Sequence, residues 1–396
     1  MEGPIRAVGS PVGHDDRMEV HGHCDRSFSA VQDAFEQNFA DGLELGAAAT
    51  VTVDGETVVD IWAGAADSAG NPWQRDTIVN VYSTTKTMAA VCMLILADRG
   101  ELDFDAPVAR YWPEFAQHGK DRVLVRHVMS HTAGLPGFVL PVAPPGLYDV
   151  DRVAAQLAGQ QLWWEPGTKS GYHAITQGNL EGEILYRITG VRMAQWFADE
   201  VAGPLGADFW MSLPESEDHR VAELQLPPPP TGMEVNGVPV SFDSIAIRTL
   251  TSCPLNATEP RTREWRAAEI PPAGGLGNAR SIAAVHSMLA NGGKVNGVRL
   301  LSEAGARRAL EPQIDGVDEV LMLRLRHGLG FALEMEGWVQ SPNPNHMFWG
   351  GWGGSLATVD FDAAMTVSYA MNRMDAELTG DPRGGRLVNA SYASLS

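Results

Sequence analysis

The stretch that decides the reading is Val79-Asn80-Val81-Tyr82-Ser83-Thr84-Thr85-Lys86, which runs directly into Thr87-Met88-Ala89-Ala90-Val91-Cys92-Met93-Leu94-Ile95-Leu96-Ala97. Residues three apart share one face of a helix, so the spacing predicts that the Lys86 amine reaches the Ser83 hydroxyl. The apolar run after Lys86 predicts a buried helix, with Ser83 at its amino-terminal end, where free N–H groups favour negative charge. A lysine drawn into such surroundings loses solvation and becomes a usable base. A serine activated by a neighbouring base is what covalent acyl transfer requires. The same pair also fits a helix-capping Ser with an exposed Lys one turn later, and spacing alone leaves both readings open.

Outward from this stretch, Ser27 to Leu43 has helical apolar spacing, with Val31, Ala34, Phe35, Phe39 and Leu43 on one face. Gly46 to Asp54 and Glu56 to Gly64 read as two strands joined by an Asp54-Gly55 turn. Between Asp103 and Leu276 short helices and proline-rich loops dominate; Asp151 to Gln161, Thr176 to Thr189 and Val191 to Val201 have helical spacing. The run Pro227-Pro228-Pro229-Pro230 predicts an exposed rigid turn. After Gly274-Gly275 comes a helix over Ser281 to Ala290, then strands over His327 to Met335, His346 to Phe348, Ser355 to Asp360 and Ala364 to Met371.

These elements predict an α/β (α+β) protein of two domains, an antiparallel sheet flanked by helices plus a mostly helical part. Residues 1–80 with 277–396 are expected to form the sheet domain and residues 81–276 the helical one, with the site between them.

The 396 residues and 44% hydrophobic content allow a large core. A formal net charge of -20 argues against nucleic acid and anionic membranes as partners. Cys24, Cys92 and Cys253 have no metal-ligand spacing and suggest a reducing compartment. No apolar run reaches the about 18 residues of a membrane span, and the first residues lack a secretory pattern, so a cytoplasmic location is expected. His127 and His131, four apart, would suit a metal pair, but no Glu follows His127 as a metalloprotease motif needs. His21-Gly22-His23-Cys24 is a looser cluster. No metal site and no cofactor are expected.

Two further segments join the Ser83 stretch: Ser170-Gly171-Tyr172-His173-Ala174, and Phe348-Trp349-Gly350-Gly351-Trp352-Gly353-Gly354-Ser355. With them, and with Val125-Arg126-His127-Val128-Met129-Ser130-His131-Thr132-Ala133-Gly134-Leu135-Pro136 and Pro272-Ala273-Gly274-Gly275-Leu276, the chain resembles the serine β-lactamase and penicillin-binding-protein superfamily. It is most similar to the branch of class C β-lactamases and family VIII carboxylesterases, over about Phe28 to Met371.

The resemblance implies that Ser83 is the nucleophile, Lys86 its partner and Tyr172 a proton shuttle whose phenol a neighbouring cation would acidify. It also implies an oxyanion hole from the backbone N–H groups of Ser83 and Trp352. Trp349-Gly350-Gly351 falls where β-lactamases carry Lys-Thr-Gly, and Ala174 where they carry the Asn of Tyr-x-Asn. Loss of that cation and that amide disfavours β-lactams and favours neutral esters with an apolar part. Trp349, Gly350 and Gly351 are therefore expected to bind substrate, with the glycines letting the strand approach it. Trp163 and Trp164 would line the acyl pocket or pack the helical part.

The expected function is a serine carboxylesterase that forms an acyl-enzyme on Ser83, with weak β-lactam hydrolysis allowed for. The alternatives are an amidase, a β-lactamase or an acyltransferase using the same Ser-Lys-Tyr site, or a catalytically inactive penicillin-binding-like receptor. The oligomeric state stays open.

Overall fold

The computed structural model describes residues 19–228, 233–335, 341–376 and 378–395. The first residues and half of the proline run, Pro229 and Pro230, lie outside them. The named elements are, in chain order, β1 (His21–Cys24), α1 (Ser29–Ala40), β2 (Gly46–Val53), β3 (Glu56–Gly64), α2 (Thr85–Asp98), α3 (Val125–Met129), α4 (Val150–Gly159), α5 (Thr176–Thr189), α6 (Ile245–Ser252), α7 (Ala279–Ala290), β4 (Ile314–Val317), β5 (Arg324–His327), β6 (Ala332–Leu333), β7 (His346–Gly350), β8 (Leu356–Asp360), β9 (Met365–Met371) and α8 (Pro382–Ala393).

Nine strands form one sheet in the order β1-β3-β2-β9-β8-β7-β6-β5-β4, antiparallel throughout. The expected hairpin forms with its turn at Asp54-Gly55, and β2 also pairs with β9, Ala49 opposite Tyr369. Strands from the two ends of the chain thus meet at the sheet centre. α1 packs against α8, and α7 crosses β2, β8 and β9. All strands of this sheet come from residues 21–64 and 314–371, whereas α2 to α6 lie in between. One apolar cluster nevertheless runs from Phe35 and Val51 through α2 to Leu180 and Trp265. α2 is the shared post, since every residue from Thr85 to Leu96 is buried.

Several boundaries differ from those expected. Ser83 lies in a 3-10 turn, Tyr82–Thr84, which leads into α2 instead of opening it. Of the strand expected over His327 to Met335, only Ala332–Leu333 forms (β6); His327 instead ends β5, and a turn in which the Gly328 N–H donates to the Phe331 carbonyl separates them. The helix expected over Val191 to Val201 runs Met193–Phe197 and widens into a π turn, Ala198–Ala202. His21-Gly22-His23-Cys24 forms the edge strand β1, paired along β3. No helix among the described residues is long and apolar enough to cross a membrane.

Candidate active site

Ser83 sits half-buried where α2 meets the end of β7. The residue before it, Tyr82, holds φ at +42°, a left-handed conformation that costs a non-glycine residue on the order of 1–3 kcal/mol. Packing keeps it there. The Tyr82 ring lies 6.4 Å from Trp265 and 5.2 Å from Trp352, and Thr85 Oγ1 donates to the Tyr82 carbonyl at 2.5 Å.

The turn after β7 is fastened to the same loop. Ser355 Oγ bonds the Val81 carbonyl at 2.8 Å and Thr84 Oγ1 at 2.9 Å. A Cβ on Gly351 would stand 2.0 Å from the Val81 oxygen, so this position excludes any side chain. The bare backbone at Gly351 therefore serves close contact with the nucleophile loop.

Lys86 is 1% exposed, and its Nζ lies 3.0 Å from Ser83 Oγ, 2.7 Å from the Ala174 carbonyl and 2.8 Å from the Pro272 carbonyl. Burial lowers its pKa to about 7, opposed in part by the carboxyl of Glu181. The two carbonyls can only accept, so they occupy two N–H bonds. The third direction, toward Ser83, carries an N–H in the ammonium form and a lone pair in the neutral amine.

Tyr172 donates its hydroxyl to Ser83 Oγ at 2.5 Å, and Lys86 Nζ stands 4.9 Å from its ring centre. The phenol is not acidified as the resemblance implied. Burial raises its pKa above the ordinary value and outweighs the hydrogen bond to Ser83. Tyr172 is thus a neutral donor. With its proton aimed at Oγ, the hydroxyl proton of Ser83 is left to point at Lys86.

A buried scaffold behind Tyr172 fixes its backbone. Asp318 Oδ1 accepts from the N–H groups of Tyr172, Val320 and Leu321, each at 2.9 Å. Burial would raise this carboxyl, but the His327 ring and the N–H donors hold it below the usual carboxylate range. His173 Nδ1 donates to the Gly171 carbonyl and its Nε2 accepts from the Leu135 N–H, so one neutral tautomer satisfies both partners. His131 Nδ1 accepts from the His173 N–H. His127, the other half of the expected metal pair, accepts through Nδ1 from the Leu124 N–H.

A cavity of about 320 Å³ opens over Ser83 and Tyr172. Phe138, Ile175, Leu250, Leu255, Trp352 and Leu378 contribute to its wall, and no charged side chain among the described residues does. Trp163 and Trp164 do not line it. Trp163 lies under the Arg248 guanidinium at 4.2 Å, and Trp164 packs on His173 with ring centres 6.0 Å apart. Trp349, Gly350 and Gly351 face a neighbouring cleft of about 170 Å³ that shares only Leu378 with this cavity. The Trp349 ring packs against Tyr172 at 5.5 Å and stacks on His131 at 5.7 Å, because the alternation of β7 turns it into the buried cluster. The Trp352 N–H makes no hydrogen bond to protein among the described residues and sits on the cavity wall with Ser83.

Comparison with known proteins identifies the family. A family model described as beta-lactamase matches residues 32–390. The chain is 33% identical over 411 residues to the Esterase/beta-lactamase LipL of Mycobacterium tuberculosis, a match covering 96% of this chain and 89% of LipL. The crystal structure of a family VIII carboxylesterase superposes with a TM-score of 0.88 at 43% identity, covering 95% of this chain and 100% of that one. EstA from Arthrobacter nitroguajacolicus has a TM-score of 0.85 at 26% identity, over 94% of this chain and 98% of its own.

Proposed function

The chain belongs to the beta-lactamase family and is an esterase-type serine hydrolase, and on that premise we propose that it hydrolyses neutral esters with an apolar acyl group through an acyl-enzyme on Ser83. Residues 81–276 and the sheet part are read as two domains with the site where they meet. The observation that carries the substrate assignment is the apolar wall of the cavity over Ser83, uncharged among the described residues. A substrate carboxylate would lose its hydration there and gain no cation in return.

In the proposed cycle, Ser83 Oγ attacks the ester carbonyl as its proton passes to the neutral Lys86 amine. The oxyanion that forms accepts from the backbone N–H groups of Ser83 and Trp352. The ester C–O bond then breaks, and Tyr172 gives its proton to the leaving alkoxide while the Lys86 ammonium makes good the loss. Water attacks the acyl-enzyme by the same steps in reverse, which frees the acid and returns Ser83 to its starting state. Positions Trp349, Gly350 and Gly351 support this geometry from behind Tyr172 and beside the nucleophile loop, and Trp163 and Trp164 act as scaffold.

The test compares p-nitrophenyl butyrate with nitrocefin on the same preparation. Turnover of the ester far above that of the β-lactam is expected. Comparable turnover of the two would overturn the substrate assignment, and ester activity retained by Ser83→Ala would overturn the mechanism.

A further inference from the structure

The proposed cycle draws on the Trp352 N–H, which lies in the turn that joins β7 to β8. Its direction is set within that turn. The Gly354 N–H donates to the Gly351 carbonyl at 3.0 Å. The C=O and N–H of one trans peptide point opposite ways, so a Gly351 carbonyl tied into the turn leaves the Trp352 N–H directed out of it. The aim of this donor therefore depends on where Gly353 and Gly354 lie.

Those two residues rest on Arg383, in the first turn of α8 and 2% exposed. Arg383 Nη2 donates to the Gly353 carbonyl at 2.7 Å and to Asp381 Oδ2 at 2.5 Å. A Cβ on Gly354 would stand 2.1 Å from Asp381 Oδ2 and 2.7 Å from Arg383 Nη2, so the turn lies directly on this ion pair and only glycine fits. The rest of the guanidinium is tied elsewhere. Nε donates to Asp381 Oδ1 at 3.0 Å, and Nη1 to the Leu43 carbonyl at 3.1 Å, the Arg373 carbonyl at 2.8 Å and Glu44 Oε2 at 3.1 Å. Leu43 and Glu44 lead from α1 into β2, and Arg373 follows β9. One planar fork thus ties the turn to the central strands and to α8, which a single ammonium on a flexible stem could not do.

From this geometry we infer that Arg383 is a positioning residue for the oxyanion hole: through the Gly353 carbonyl it fixes the turn that aims the Trp352 N–H at the substrate oxygen. The inference rests on the reading that the Ser83 and Trp352 N–H groups receive the oxyanion. A buried ion pair adds little net stability over apolar packing, so the worth of this one lies in the backbone it places. Arg383 does not line the cavity over Ser83, so ester binding in the ground state does not depend on it.

Steady-state kinetics with p-nitrophenyl butyrate, together with inhibition by butylboronic acid, test this. The boron takes up Ser83 Oγ, whose proton passes to the Lys86 amine, and the tetrahedral adduct puts an oxygen where the oxyanion would form. Arg383→Lys keeps the charge and loses the fork. Its kcat is expected to fall about tenfold to a hundredfold, since outright removal of one oxyanion donor costs about 10²–10³. KM should change little, and the boronate inhibition constant should rise by the same factor as kcat falls. Glu44→Gln is the control, because it removes a partner of the same guanidinium away from the turn; it should lower the melting temperature and leave kcat and boronate inhibition at wild-type values. Gly354→Ala presses the turn off Arg383 from the other side and should reproduce the Arg383→Lys pattern, which keeps the test decisive if Arg383→Lys does not fold. Wild-type kcat and boronate inhibition in either folded variant would overturn the inference. So would failure of both to fold, or an equal loss of kcat in Glu44→Gln, since each would make the cluster purely structural. A wild-type protein that hydrolyses the ester but is not inhibited by the boronate would instead refute the oxyanion reading itself, which separates the two failures.

Discussion

Gly351→Ala is the most informative single substitution, because the structure fixes both its target and its size. The added Cβ would stand 2.0 Å from the Val81 oxygen and 2.5 Å from Ser355 Oγ. Reaching the 3.4 Å of ordinary contact requires the end of β7 and the Val81–Ser83 loop to part by about 1.4 Å. That loop carries the nucleophile, and Ser83 Oγ must stay within bonding reach of both Lys86 and Tyr172. A misplacement of this order costs about 10²-fold in rate, and the overpacking itself about 1–3 kcal/mol of stability. Gly351 does not line the cavity over Ser83, so the loss should fall on kcat with KM for p-nitrophenyl butyrate little changed. Gly350→Ala is the matched control, since its Cβ would meet only the Ser355 carbonyl oxygen, at 3.0 Å. Steady-state kinetics and thermal melting of both variants read the outcome. Wild-type kcat in Gly351→Ala would refute the claim that the β7 turn holds the nucleophile in place. A rise in KM with kcat intact would restore Gly351 to a substrate-contacting role.

The remaining predictions concern single groups. Tyr172→Phe keeps the buried ring and removes the donor to Ser83 Oγ, so kcat/KM should fall by about 10²–10⁴ with the melting temperature close to wild type, as measured by kinetics and circular dichroism. Because the active form of Lys86 is the neutral amine and burial brings its pKa to about 7, kcat/KM should rise with pH through neutrality, about tenfold per unit below the limb; a flat profile from pH 5 to about 8 would argue against Lys86 as the base. His173 and His286 are buried neutral, with pKa values lowered by burial from 6.5 to about 4. The unfolded chain therefore takes up their protons first. Stability is fully present above pH 6.5 and declines as pH falls toward 4, by about 3 kcal/mol for each ring, which denaturant titrations across that range would measure.

The sequence carried the parts of this account that depend on local spacing. Ser83 and Lys86 lie three apart, and the apolar run behind them could only be a buried helix, so their contact and the burial of the amine were both legible. The β2–β3 hairpin was equally plain from its alternation and its Asp54-Gly55 turn. What depends on residues far apart was not legible. Asp318, which holds the Tyr172 backbone, lies 146 residues further along the chain in a segment with no motif. The direction of the phenol's shift was misjudged because nearness to a lysine shows in the motifs, whereas burial depends on β7 and the His131 loop packing on the ring.

The placement of the aromatic residues was hidden for a related reason. Spacing could not choose between pocket and packing for Trp163 and Trp164, which pack against Arg248 and His173, nor show that the Trp349 ring stacks on His131 beside a cleft. Tyr82 had no signal at all, since its left-handed φ arises from packing between Trp265 and Trp352.

The most direct test of the central claim is to trap the covalent intermediate. The protein would be treated with a fluorophosphonate and digested, and the modified residue located by peptide mass spectrometry, with Ser83→Ala treated in parallel. The account predicts a single adduct on Ser83, blocked by prior incubation with the ester substrate and absent from the variant. An adduct on another residue, or an unlabelled protein that still hydrolyses the ester, would contradict it.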